Sequence, residues 1–69
     1  MNEVAKIIEV IGTSDDSLED AIRGAIARAA STVDNLQWFK VTEIRGALDG
    51  GSIDRFQVML KIGFRLNDD

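Results

Sequence analysis

A single tryptophan, Trp38, stands in "LQWFKVTEIRG" beside Gln37, with Lys40 and Arg45 further along the same segment. A second segment, "FQVMLKIGFRL", carries Gln57, Lys61 and Arg65. These residue types suit binding rather than turnover. An indole face stacks on a planar aromatic ring. The amide of Gln57 offers a donor and an acceptor, which an imide or amide edge requires. The guanidinium of Arg45 can hold a phosphate through a two-pronged contact. Each signal is weak alone, since a tryptophan on a strand is more commonly core or interface, a glutamine surface-solvated, and an arginine a solubilising charge.

Chemistry at a reacting centre has little to draw on. The 69 residues include no histidine and no cysteine, so acid-base or nucleophilic work would fall to carboxylates, lysines or hydroxyls. The acidic stretch "TSDDS" is better explained as a helix start than as a metal cage. No phosphate-binding loop, GxGxxG or calcium-loop spacing is present. The expectation is no enzyme and no metal site.

Composition narrows the partners. The net charge is −4, with 12 acidic against 8 basic residues, which argues against nucleic acid. No apolar run reaches membrane-spanning length, and "MNEVAKIIEV" lacks the character of a signal peptide. The cytoplasm is the expected compartment. One small domain over residues 1–69 is expected, with no disulfide or zinc to staple it. Since 45% of the residues are hydrophobic, self-association is the remaining route to a sufficient core.

The elements that position these residues follow from periodicity. "EVAKIIEVIG" (3–12) reads as a strand. Within 13–33, Leu18, Ala21, Ile22, Ala25, Ile26, Ala29 and Val33 recur at helical spacing, with Ser14 or Ser17 as cap and Asn35 as a stop. Strands over 36–48 and 53–66 are joined by "DGGS", a hairpin signal. A right-handed crossover then gives an α+β subunit, β-α-β-β, with an antiparallel sheet in order 1-3-2 and one helix on one face. In the last strand Phe56, Val58, Leu60, Ile62, Phe64 and Leu66 point one way; Gln57, Met59, Lys61, Gly63 and Arg65 point the other. The second strand breaks its alternation, because Phe39 and Val41 share a parity that Ile44 lacks. A bulge between Val41 and Ile44 would turn all three toward the helix and bury them. Trp38, Lys40 and Arg45 would then share the uncovered face with Gln57. The terminal "NDD" reads as a solvated tail.

Taken together, "VIGTS", "AIARAA", "LQWFKVTEIRG" and "FQVMLKIGFRL" resemble dodecins, small flavin-binding proteins, over residues 4 to 66. The resemblance implies a hollow homododecamer holding flavins in pairs between subunits. Trp38 would stack on the isoalloxazine and Gln57 would bond its edge. Arg45 would suit a phosphorylated flavin such as FMN over riboflavin, and Glu43 would approach the ribityl chain. Arg65 and Lys61 are further candidates for the phosphate. The implied role is storage and photoprotection of flavins, with coenzyme A as a possible second ligand. Two other readings stay open: a self-assembling shell in which Trp38 is interface packing, and a single-strand nucleic-acid binder stacking bases on Trp38 and Phe39.

Overall fold

A computed structural model describes residues 2–66; the "NDD" tail lies outside the described residues. The chain forms β1 (Ala5–Ser14), α1 (Leu18–Ala30), β2 (Leu36–Asp49) and β3 (Ser52–Arg65). β3 lies between the other two and is antiparallel to both, giving the expected order β1-β3-β2. The β2–β3 turn is made by Gly50 and Gly51, and Gly50 takes a positive φ of 63°, which glycine adopts without a steric penalty.

The helix is shorter than the 13–33 pattern suggests, and Val33 lies beyond its end. Ser17 is the cap: its Oγ accepts from the Asp20 amide at 3.0 Å. Ser14 is buried and braces the entry instead. Its Oγ donates to Asp20 Oδ2 at 2.7 Å and accepts from the Asp16 amide at 2.9 Å. Glu19 and Asp20 fill the first turn, where carboxylates meet the positive end of the helix dipole. Asn35, expected to stop the helix, instead precedes β2 with a φ of 65°. Asparagine is among the few side chains that visit this region readily.

Small residues let the helix sit close to the sheet. Ala21, Ala25 and Ala29 form its buried stripe, and they pack on Val58, Leu60 and Ile62 of β3. A Cβ at Gly12 would collide with the Ala21 carbonyl, so the β1 backbone and the helix meet directly there. No buried side-chain nitrogen or oxygen is left unpaired among the described residues.

The expected bulge is present. The β2–β3 register shifts between Val41 and Glu43, leaving Thr42 as the extra residue. Its hydroxyl donates to the Met59 carbonyl at 3.1 Å, giving that carbonyl a partner where the ladder is disturbed. Phe39, Val41 and Ile44 now pair with Ile62, Leu60 and Val58 on the helix side of the sheet. Two further irregularities leave Gln37 and Asp54 as extra residues.

One expectation fails. Turning Phe39 and Ile44 toward the helix side does not bury them: they remain 49% and 57% exposed. The reason is coverage. A 13-residue helix is about 20 Å long, whereas each 14-residue hairpin strand runs for roughly 46 Å. The helix packs over β1 and β3, and β2 extends past it.

Candidate functional site

The sheet face away from the helix carries the residues singled out for binding. Register places them in rows. Arg65 pairs with Ala5; Gly63 stands between Ile7 and Trp38; Lys61 stands between Glu9 and Lys40. Met59 follows, between Ile11 and Glu43; then Gln57, between Thr13 and Arg45; then Arg55, paired with Ala47. The bulge at Thr42 brings Trp38 and Arg45 onto this one face, as the sequence pattern required.

Trp38 is 45% exposed. Its ring lies across Gly63: a Cβ at that position would overlap indole atoms Cε2, Nε1 and Cζ2. Gly63 therefore sets the ring's posture, and sequence reasoning did not single it out. The available signal was a glycine inside an otherwise regular strand, which often marks a close approach. One side of the indole is thus supported by backbone.

Arg45 and Gln57 are joined. Arg45 Nε donates to Gln57 Oε1 at 2.8 Å. This occupies an acceptor of the amide and leaves the NH2 as its donor group. Glu43 Oε1 lies 3.7 Å from Arg45 Nη1 across exposed side chains, an ion pair of little energetic weight. Beyond them is a shallow depression of about 190 Å3 lined by Arg45, Gly46, Ala47, Arg55 and Gln57.

The five expected site residues fall into two groups. Arg65 and Trp38 lie toward one end of the face; Glu43, Arg45 and Gln57 lie toward the other. Gln57 and Gly63 are three rows apart on an unbroken stretch of β3, roughly 20 Å at about 3.3 Å per residue. One protomer thus carries its indole and its Gln57–Arg45 pair at separate ends of the face.

The face has its own charge. Lys40, Arg45, Arg55, Lys61 and Arg65 stand against Glu9, Glu43 and Asp49 among its paired residues, a local excess of cations. The chain as a whole carries −4. No group of three or more Asp, Glu, His or Cys side chains gathers into a metal cage among the described residues. No helix there is long and apolar enough to cross a membrane.

An antiparallel β1-β3-β2 sheet backed by one helix, with an aromatic and basic open face, defines a small β-α-β-β domain. The dodecin family model matches residues 4–67, and this chain belongs to the dodecin family. It is 46% identical over 68 residues to the dodecin of Thermus thermophilus, covering 99% of each. A crystal structure from that organism superposes with a TM-score of 0.93 at 44% identity, covering 99% of this chain and all of the other. The dodecin of Streptomyces davaonensis gives 0.92 at 43%, with the same coverage. A more distant relative is the calcium dodecin of Mycobacterium tuberculosis, 33% identical over 63 residues, covering 91% of this chain and 89% of the relative.

Proposed function

We propose that this chain stores and shields flavins, FMN foremost, in sites shared between copies of itself. The observation that carries the reading is the half-exposed Trp38 indole laid on Gly63 at one end of a basic face. The residues present fit a flavin. Trp38 offers a flat surface to a tricyclic ring, the Gln57 NH2 can donate to a ring-edge carbonyl, and Arg45 supplies a cation for a phosphate.

The roughly 20 Å between the two ends of the face is why copies must meet. One ring reaches Trp38 and Gln57 together only if they come from different subunits. The uncovered apolar residues Phe39, Ile44, Leu48 and Ile53 supply a reason for those copies to associate, and a closed homododecamer is the assembly the family resemblance suggests. A bound flavin brings light absorption and redox reactivity. The protein's own part is to hold the ring, exclude it from solvent, and place an electron-rich indole against it. No proton acceptor or nucleophile is required for that role. The phosphates of coenzyme A would suit the same basic face.

The test is direct. Purified protein should carry a yellow ligand whose mass is that of a flavin, with its emission quenched, in a closed species of about twelve subunits by native mass. A colourless assembly that neither copurifies with nor binds FMN or riboflavin would leave only the self-assembling shell.

A further inference from the structure

We infer that Arg55 is a second phosphate-reading residue, acting with Arg45 as a two-cation clamp for the phosphate monoester of the bound flavin. This inference rests on the flavin reading above and adds a specificity determinant to it. Arg45 pairs with Gln57, and Arg55 pairs with Ala47 one row further toward the hairpin turn. The two arginines are therefore diagonal neighbours on adjacent strands and on the same face. Such positions have Cβ atoms about 7–8 Å apart, within reach for long side chains.

The space between them is built for a small anion. Among the described residues its lining is Arg45, Gly46, Ala47, Arg55 and Gln57, two small residues together with both arginines and the amide. No carboxylate among the described residues belongs to that lining. The bond from Arg45 Nε to Gln57 Oε1 fixes one edge of the Arg45 guanidinium and leaves its other nitrogens for an oxyanion. Each arginine has a carboxylate at 3.7 Å, Glu43 for Arg45 and Asp54 for Arg55, and all four side chains are more than half exposed. Exposed pairs this long hold a side chain loosely. A phosphate oxygen, which accepts charge-assisted bonds from two forks at once, competes well against them.

The depression also adjoins the end of the face that holds Gln57, not the one that holds Trp38. A ring edge bonded at Gln57 thus has the clamp one row away, which suits a flavin extended by a phosphorylated chain. Riboflavin lacks the phosphate and would leave the clamp unfilled.

The experiment compares FMN and riboflavin by quenching titrations on the assembled wild type, Arg55→Ala and Arg55→Lys, with native mass verifying each assembly. Arg55→Ala should weaken FMN about tenfold, the effect of losing one charge-assisted contact, and leave riboflavin unchanged. Arg55→Lys should recover part of the loss, since it keeps charge but not the fork. Raising salt should narrow the FMN advantage in the wild type. Equal shifts for both flavins, or none for FMN, would overturn the clamp while leaving flavin binding in place. Failure of the wild type to bind either flavin would overturn the storage reading and the clamp with it.

Discussion

Two stretches of the same sheet face have similar side chains and opposite fates. Under the helix, Val58, Leu60 and Ile62 are at most 1% exposed. One strand over, their register partners Ile44, Val41 and Phe39 point the same way, yet Ile44 and Phe39 are about half exposed. A gap of about 400 Å3 separates Phe39 from Ile22 and Ile26 of the helix. The difference is one of coverage and not of pattern. Alternation decides which face a side chain joins, but the length and placement of the helix decide how much of that face is sealed. A chain that orients large apolar residues inward and then leaves them bare has a core completed by something else. Here we assign that role to other copies.

The sharpest way to stress this comparison is to cut each half in turn. Leu60→Ala removes a fully buried side chain of the central strand beneath the helix, and should cost about 2–5 kcal/mol. In a 69-residue domain that is a large share of the total stability. Chemical denaturation followed by circular dichroism should show the loss, and a cost under 1 kcal/mol would mean this core is not the one that holds the fold. Ile44→Asp addresses the other half. The side chain is 57% exposed in the protomer, so secondary structure should persist while the closed assembly falls to smaller species by native mass. Unchanged assembly would show that Ile44 faces solvent there too, and the argument from coverage would fail. Ser17→Ala is the smallest cut. It deletes the cap bond to Asp20 and should cost about 1 kcal/mol. Ser14, which bonds Asp20 through its side chain, keeps the helix start in place, so the change should lower the melting temperature without altering native mass.

Much of this was legible beforehand. The strand order followed from a crossover helix and a glycine hairpin, and the break in alternation between Val41 and Ile44 located the Thr42 bulge. That bulge is what sets Trp38 and Arg45 on one face. What alternation could not convey was area, which is why Phe39 and Ile44 were expected to be buried. It also could not convey distance along the face: Trp38 and Gln57 were placed on one face, and a strand rise of about 3.3 Å per residue separates them by three rows. Gly63 was visible as an oddity in β3 but not as the seat of the indole, because that contact arises across strands. Arg55 escaped notice for the same reason: only the β2–β3 register shows it diagonal to Arg45.

If the open face is a platform for flavin, Trp38 is its stacking surface. Trp38→Ala tests it most directly, with FMN titrated into the mutant while native mass and flavin emission are followed together. The account predicts that the assembly stays intact, affinity falls roughly tenfold or more, as loss of stacking and burial at each ring implies, and any flavin still bound regains its emission. If Trp38 were mainly an interface plug, its removal would leave a cavity costing about 3–5 kcal/mol, and the assembly would come apart first. An intact assembly that binds FMN as tightly as the wild type, with emission still quenched, would contradict the account.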